Sequence, residues 1–252
     1  MSILSNIKNY LKKKLRDKGY KFNKIGPYSI FDFESFLYRH LKTHKKMSFI
    51  QIGANDGVMN DPIYKFNFEN KDHVNGYVLE PLPDIFEKLK ENYKDCKNIV
   101  PCNVAIHNTE SEMILHRVSP SLENKVPNFA KGIASFDKNH WKKTSLVNDE
   151  NLMEEINVKC VKFSDFIKSK NIRSLDLLII DTEGYDYEII MSIDFEILKP
   201  NIIRFEHGLR NNLMTNKKFS KICKYLNSFG YQIITESYDA TAYIIDHKVL
   251  YI

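Results

Sequence analysis

A nearly continuous aliphatic run, LDLLII at residues 175–180, is followed directly by Asp181. A strand with apolar side chains on both faces must be covered on both faces, which is typical of the centre of a parallel sheet flanked by helices. Parallel neighbours also need long crossover connections, which are usually helical. The run therefore predicts an α/β fold with Asp181 at the carboxyl edge of a central strand.

The rest of the chain alternates strand and helix patterns in the same way. Strands are predicted at 47–52, 76–79, 98–105, 175–180 and 202–205, and helices at 29–41, 62–70, 83–93 and 219–229, the first with Ser29 as its N-cap. Two last strands, 231–236 and 241–246, are joined by a connection so short that we expect them to be antiparallel neighbours.

Composition limits the class of protein. At 252 residues, with 43% hydrophobic and 27% charged residues, the chain suits one globular α/β domain. Its apolar runs are too short for a transmembrane helix or a signal peptide, so we expect a cytoplasmic protein. The four cysteines form no Cys-x-x-Cys pair, which argues against a zinc site and a disulfide framework.

The basic charge is concentrated at the N-terminus. Residues 1–46 contain 12 lysines and arginines against 3 acidic residues, and apolar residues recur there at helical spacing. We predict a basic helical extension over 1–46, followed by the main domain at 47–252. The helix either packs on the body or contacts a membrane surface or an acidic partner. Nucleic-acid binding is not expected, since no basic stripe with aromatic residues continues into the body.

A long polar stretch at residues 119–150 interrupts the strand and helix pattern. Connections of this kind are usually lids, substrate loops or disordered insertions. Ser135, Phe136 and Trp141 in this stretch are predicted to contact a substrate. The alternative is that Phe136 and Trp141 only anchor the loop to the body.

The first strand and the turn after it have the sequence IQIGANDG at residues 50–57. This turn is where a nucleotide-like cofactor approaches an open sheet. A dinucleotide site would need G-x-G-x-x-G and a helix N-terminus for the pyrophosphate. Here Asn55 replaces the middle glycine, and Asp56 would repel a pyrophosphate. A phosphate-free, cationic adenosine derivative fits better, and S-adenosylmethionine is such a molecule.

The ends of the second and third strands extend this site. Glu80 follows the second strand and is predicted to accept hydrogen bonds from ribose hydroxyls, while Asn103 and its neighbours would lie beside the adenine. The cofactor-binding residues predicted in this way are Gln51, Gly53, Ala54, Asn55, Asp56, Gly57, Glu80, Pro81, Asn103 and Ala105.

Several motifs together resemble a known family. The segments IQIGANDG, LEPLPDIFEKL, NVAI, LDLLIIDTEGYDYEII and IIRFEH occur in this order, and they resemble the FkbM-type S-adenosylmethionine-dependent methyltransferases over roughly residues 48–247. The resemblance implies a Rossmann-like class I methyltransferase fold, with a mostly parallel seven-stranded sheet and an antiparallel last strand. It also implies O-methylation of sugars, glycans or secondary metabolites. Gln51 is a departure, because many methyltransferases carry an acidic residue there.

Catalytic residues are expected at the ends of the fourth and fifth strands. Asp181 is predicted to lie nearest the reacting methyl group, with Glu183 or His207 as the base and Glu206 on the substrate side. Asp181 would otherwise be a helix cap, and His207 a hydrogen-bonded core residue. These four residues are suitable metal ligands, but their spacing matches no dedicated motif, and we expect no metal.

Two other function classes remain open. One is another nucleotide-dependent enzyme, such as an oxidoreductase, against which the missing G-x-G-x-x-G counts. The other is a non-catalytic module that binds the cofactor or a partner.

Overall fold

The computed structural model describes residues 31–127, 133–143 and 149–245, together with Lys14. Residues 1–30 of the predicted basic extension therefore lie outside the described residues except for Lys14, and the role of that part stays a prediction. No helix in the described part of the chain is long and apolar enough to cross a membrane.

Strands and helices alternate through most of the described chain. The strands are β1 (Met47–Ile52), β2 (Val74–Leu79), β3 (Ile99–Cys102), β4 (Ala105–Ile106), β5 (Glu112–Val118), β6 (Ala134–Ser135), β7 (Met153–Val161), β8 (Leu177–Ile180), β9 (Ile202–Glu206), β10 (Gln232–Thr235) and β11 (Asp239–Tyr243). The α-helices are α1 (Phe33–His44), α2 (Tyr64–Glu69), α3 (Pro83–Tyr93), α4 (His140–Lys143), α5 (Phe163–Ser169), α6 (Asp186–Ser192) and α7 (Asn216–Ser228). Short 3₁₀ helices occupy Pro120–Lys125, Glu150–Leu152 and Leu209–Asn211.

The main sheet has seven strands in the order β10-β11-β9-β8-β1-β2-β3. Five of these strands are parallel to one another, namely β1, β2, β3, β8 and β9. Strand β11 runs antiparallel to both of its neighbours, β9 and β10. The chain order changes direction between β1 and β8, which is where open α/β sheets bind their ligands. This topology confirms the predicted class I methyltransferase fold.

The side chains of β8 explain why its sequence is aliphatic throughout. Leu178 and Ile180 belong to the core on one face of the sheet, and Leu177 and Ile179 belong to the core on the other face. All four are buried. Both faces are therefore covered, as the LDLLII run predicts.

Two predicted boundaries are wrong. Helix α1 begins at Phe33 rather than near Ser29, because Asp32 is the N-cap and accepts a 2.9 Å hydrogen bond from the Ser35 amide; Ser29 itself lies outside the described residues. The strand predicted at 98–105 is divided in two. Its first part is β3, and Ala105 already belongs to β4, which pairs with β7 in a different sheet.

This second sheet has four strands in the order β4-β7-β5-β6. The sequence analysis did not predict it. Arg117 of β5 is 1% exposed and makes two hydrogen bonds, of 2.6 and 3.0 Å, to the Asp84 carboxylate at the start of α3. The second sheet is thereby attached to the helix that follows Glu80, and it covers one side of the site described next.

Candidate active site

A cleft opens at the carboxyl ends of β1, β2 and β8. Its volume is about 940 Å³ including the solvent at its mouth, and it is lined by the turn after β1, the turn after β2, the second sheet and residues 133–136. Three acidic side chains line it, those of Asp61, Glu80 and Asp181, and no lysine or arginine does so among the described residues. Such a cleft favours a neutral or cationic ligand.

The turn after β1 brings the backbone to the floor of the cleft. The Gly53 and Ala54 amides both donate to the Leu79 carbonyl oxygen, at 3.0 and 2.9 Å. Gly53 has φ +81° and lies against the backbone of Asp181, a conformation and an approach that suit glycine alone. Gly53 lines the cleft, and its contact with the cofactor stays a prediction.

Glu80 connects the two turns that border the cleft. One carboxylate oxygen accepts from the Asn55 amide and the other from the Leu82 amide, both at 2.9 Å. The residue is 6% exposed, and this desolvation raises the pKa of Glu80 to about 7 although both hydrogen bonds act in the opposite direction. A carboxylate oxygen can accept more than one hydrogen bond, so Glu80 can still accept from ribose hydroxyls in the cleft.

The structure does not bring Asp56 or Gly57 to the cleft. The Asp56 carboxylate accepts from the Val58 and Met59 amides at 2.9 and 2.8 Å and so shapes the turn. Gly57 packs underneath, where a Cβ would lie 2.6 Å from the Tyr93 ring. Neither residue is among those that line the cleft.

Asp61 is a site residue that the sequence analysis missed. It lines the cleft beside Gln51, whose Nε2 donates to Asp61 Oδ2 at 2.7 Å. Desolvation raises the pKa of Asp61 to about 6, against the effect of the hydrogen bond from Gln51. The available signal was its position in NDP, since an acidic residue just before a short helix accepts amide hydrogen bonds, here from Ile63 and Tyr64.

At the other end of the cleft, the wall is formed by Pro81, Val104 and Ala105. Asn103 is exposed, and its side chain donates to the Glu80 and Pro81 carbonyl oxygens at 2.9 and 3.0 Å. It therefore stabilises the turn after β2 and does not line the cleft. Of the predicted adenine neighbours, Pro81 and Ala105 line the cleft, whereas the Asn103 side chain does not.

Three carboxylates converge beside the cleft, at the ends of β8 and β9. Oxygens of Asp181, Glu183 and Glu206 lie within 4.8 Å of one another. Asp181 faces the open cleft, yet desolvation by the surrounding protein, followed by the charges of Glu183 and Asp186, raises its pKa well above the ordinary value. Desolvation, followed by the charges of Glu183 and Asp181, also strongly raises the pKa of Glu206. Its Oε2 is buried without a hydrogen-bond partner in the described structure.

Asp186 fixes the backbone around this cluster. Its Oδ2 accepts from the Thr182 hydroxyl at 2.6 Å, and its Oδ1 accepts from the Glu206 amide at 3.1 Å. Helix α6 begins at Asp186 without a side-chain cap. The alternative interpretation of Asp181 as a helix cap is therefore wrong, and its side chain is available to a ligand.

The segment 133–143 packs over the acidic cluster. The Ser135 hydroxyl donates to the Glu183 carbonyl oxygen at 2.8 Å, and His140 Nε2 lies 3.2 Å from Glu183 Oε2. Phe136 lines the cleft and its ring contacts Tyr185. His140 was not predicted, because nothing in the sequence shows that this loop folds back onto the end of β8.

Trp141 occupies a separate position. It is buried with Val118 and Leu152, and its indole Nε1 donates to the Lys138 carbonyl oxygen at 2.7 Å. It does not line the cleft. Trp141 therefore anchors the loop, which is the alternative that the sequence left open.

His207 has the contacts of a core residue. Its Nδ1 accepts from the Leu209 amide at 3.2 Å, which leaves Nε2 to donate to the Glu236 carbonyl oxygen at 3.3 Å. The ring is 2% exposed, and desolvation lowers the pKa of His207. With both nitrogens used and no access to the cleft, His207 is not placed to act as the base.

A family comparison adds to this geometry. A family model described as the methyltransferase FkbM domain matches residues 51–233. The chain belongs to this family. The FkbM match spans the turn after β1, Glu80 and the acidic cluster, and it confirms both the predicted methyltransferase and its cofactor, S-adenosylmethionine.

Other comparisons are less informative. A search of curated proteins gave no match. Solved structures similar to this FkbM methyltransferase include a putative caffeoyl-CoA O-methyltransferase from Staphylococcus aureus, with 10% identity, coverage of 96% of this chain and 97% of that one, and a TM-score of 0.48. An O-methyltransferase from Bacillus cereus in complex with SAH has 9% identity, coverage of 95% and 90%, and a TM-score of 0.43. Similarity at this level does not identify the acceptor.

Proposed function

We propose that this FkbM methyltransferase transfers a methyl group to a hydroxyl of a neutral or cationic acceptor, which is a sugar, a glycan or a secondary metabolite. The observation that carries the proposal is the cluster of Asp181, Glu183 and Glu206 beside a cleft that no described lysine or arginine lines. Acceptors with phosphate groups, including nucleic acids, would be repelled by these carboxylates. A hydroxyl acceptor instead needs a proton acceptor, which carboxylates provide.

The donor side of the cleft suits S-adenosylmethionine, which supplies an activated methyl group on a sulfonium. Glu80 would accept from the ribose hydroxyls, and Pro81 and Ala105 would contact the adenine. The Gly53 turn forms the floor on which the cofactor lies. Alignment of the acceptor oxygen with the methyl group should supply much of the acceleration, up to about 7–11 kcal/mol in favourable cases.

On the acceptor side, Asp181 takes the proton of the attacking hydroxyl. Three carboxylates so close together retain at least one proton at neutral pH, because like charges disfavour further ionisation. We assign that proton to Glu206, since its Oε2 is buried without a partner in the described structure. In its ionised form Asp181 accepts the proton, and its raised pKa makes this carboxylate a stronger base than an ordinary one.

Labelled cofactor and mass spectrometry would test this proposal with matched acceptors. Methyl glycosides and their 6-phosphates should be compared, together with amino sugars, and methylation should occur at a hydroxyl of the unphosphorylated members. Asp181→Asn should lower turnover by about 10²- to 10⁴-fold, the contribution of a positioned base, with unchanged cofactor affinity. Transfer to nitrogen, a preference for phosphorylated acceptors, or a loss of affinity equal to the loss of turnover would contradict it.

A further inference from the structure

The amino edge of the main sheet lies opposite the cleft. Strands β1, β2, β3 and β8 are parallel, so the connections that enter them meet at this edge. The basic edge consists of the unpaired cations in these connections, which are Lys45, Lys46, Lys71, Lys97, Lys170 and Arg173. We propose that the basic edge docks on an anionic lipid surface.

Positive charge outweighs negative charge along this edge. The connections at residues 45–46, 70–73, 94–98 and 170–176 contain seven lysines and arginines against three carboxylates. One of the seven, Lys94, is paired with Glu91. One of the three carboxylates, Asp176, is hydrogen-bonded to three neighbouring side chains. The six cations of the basic edge are therefore accompanied by two exposed carboxylates, Asp72 and Asp95.

Hydrogen bonds join the connections into one continuous surface. Those before β1 and β2 meet where the Met47 amide donates to the His73 carbonyl oxygen at 2.9 Å. Those before β2 and β3 meet where the Asn98 side chain donates to the Lys71 carbonyl oxygen at 3.2 Å. The connection before β8 joins β1 through a 3.2 Å backbone hydrogen bond. The four strand ends span about 14 Å, since neighbouring strands lie about 4.8 Å apart, so the cations act together on a charged surface.

The helix ends do not account for this charge. Helices α1, α2, α3 and α5 end at the same edge, and a cation in the last turn of a helix stabilises its dipole. Three of these helices already have such residues, namely Lys42 and His44 in α1, Lys90 in α3 and Lys168 in α5. No cation of the basic edge forms an ion pair in the described part of the chain. The basic edge thus carries charge that the fold itself does not use.

An exposed phenylalanine lies beside the lysines. Phe68 of α2 is 44% exposed, and Lys71 Nζ lies 5.6 Å from the centroid of its ring. Aromatic rings next to lysines are typical of surfaces that bind at a lipid interface, because the ring enters the headgroup region while the ammonium groups contact lipid phosphates. Phe68 adds an apolar contact to the electrostatic one.

The residue types favour a lipid surface over a nucleic acid. Five of the six cations are lysines, and Arg173 is the sixth. Recognition of individual phosphates relies on arginine in particular, because its guanidinium binds two oxygens at once, whereas a lysine acts as a point charge. An array of lysines suits a diffuse array of lipid phosphates, and each lysine near an anionic bilayer strengthens binding about fivefold.

The opposite charges of the two edges would orient the protein on such a surface. The carboxyl edge carries the cluster of Asp181, Glu183 and Glu206, which anionic lipids repel. With the basic edge on the lipid, the cleft opens away from the bilayer. The acceptor then enters from the aqueous side.

Cosedimentation of the full chain with lipid vesicles tests the proposal. Vesicles of phosphatidylcholine and phosphatidylglycerol in equal amounts should bind the protein, pure phosphatidylcholine vesicles should not, and added salt should weaken the binding. Lys45→Gln/Lys46→Gln removes two charges from the basic edge and should weaken binding about 20- to 30-fold.

Lys221→Gln/Lys224→Gln is the matched control. Both lysines are exposed on α7, which packs against α6 and β10 away from the basic edge. The change in net charge is the same, and the affinity for the mixed vesicles should stay within about twofold of the unaltered protein. Phe68→Ser should weaken binding about 3- to 10-fold without changing its salt dependence, because it removes apolar contact and no charge.

Several results would overturn the inference. Equal losses in the two double variants would show that net charge alone explains the binding. Equal binding to neutral and mixed vesicles, or binding to neither, would exclude an anionic lipid surface as the partner. A single-stranded oligonucleotide is the probe for the alternative partner, and loss of its binding in Lys45→Gln/Lys46→Gln, with vesicle binding unchanged, would assign the basic edge to nucleic acid instead. These measurements do not involve methyl transfer, so their failure leaves the proposed function standing.

Discussion

A Cβ atom on Gly53 would lie 1.8 Å from the carbonyl oxygen of Asp181. This contact joins the turn after β1 to the end of β8, and no side chain can be inserted between them without moving a strand. We expect Gly53→Ala to destabilise the fold by about 2–4 kcal/mol, because a clash with backbone adds to the strain of a positive φ. Urea denaturation would measure the loss.

Gly230→Ala is the control for the strain alone. Gly230 has a similar φ of +86°, but an added Cβ would meet no atom within 4 Å. Its loss should be about 1–2 kcal/mol. Equal losses in the two variants would show that the contact with Asp181 does not restrict residue 53.

Replacement of Glu206 by Gln should stabilise the protein at neutral and higher pH. The folded pKa of Glu206 is raised by desolvation and by neighbouring carboxylates, so its contribution to stability is present at low pH and is lost as the pH rises above the unfolded value. Glu206→Gln avoids this loss. The free energy of unfolding of the variant, measured by urea denaturation, should exceed that of the unaltered protein increasingly from pH 5 to pH 8, by about 1–3 kcal/mol at the upper end.

Glu196→Gln makes the same chemical change at an exposed position. It should leave the pH dependence unaltered. A parallel pH dependence for Glu206→Gln and the unaltered protein would contradict the assignment of a proton to Glu206.

We expect the opposite pH dependence of stability from Asp176, which lies at the other end of the sheet from Glu206. Desolvation alone would raise its pKa, but hydrogen bonds from His40 and Ser48 lower the pKa to about 2. A lowered pKa contributes stability above the unfolded value near 4, and this contribution is lost as the pH falls towards 2. Asp176→Asn should cost about 2 kcal/mol at pH 7 in urea denaturation, and the difference should shrink below pH 4. A difference that stays constant at low pH would exclude this charge effect.

Glu80→Gln should weaken the binding of S-adenosylhomocysteine and of 5′-methylthioadenosine, which contain the same nucleoside. The variant loses the charge that would accept from the ribose, and one of its two atoms becomes a donor facing an amide. The affinities for both ligands should fall together by about 10- to 100-fold. Calorimetry that shows unchanged affinity for 5′-methylthioadenosine would remove Glu80 from the sugar site.

The main sheet could be predicted because each of its strands has a pattern of its own. The aliphatic run of β8 and the short connection between β10 and β11 determine their positions almost alone. The second sheet was missed although Ile156, Val158 and Cys160 alternate along β7 and are packed in one cluster. Its partner β5 lies about 40 residues earlier, and a single sequence does not show such distant pairing.

The site was predictable where the backbone determines it and less so where side chains do. Gly53 and Glu80 follow from the positions of strand ends, so they lie in the cleft as expected. Asp56 and Asp61 have the same chemistry and are five residues apart, and only the hydrogen bonds of the turn decide which one lines the cleft. His140 and Glu183 meet because a loop folds back, which depends on the packing of Trp141 and Phe136 rather than on a local pattern.

Glu80 accepts hydrogen bonds from the turn after β1 and the turn after β2. Ligand binding at this carboxylate is therefore coupled to the ordering of both turns. Any nucleoside that engages this carboxylate favours the state in which the Asn55 and Leu82 amides are both held by it, so occupancy should slow their hydrogen exchange by the same factor with which it stabilises the fold. Cofactor binding would therefore be detectable as slower hydrogen exchange of amides on two separate crossover connections, without a structural change in the sheet between them.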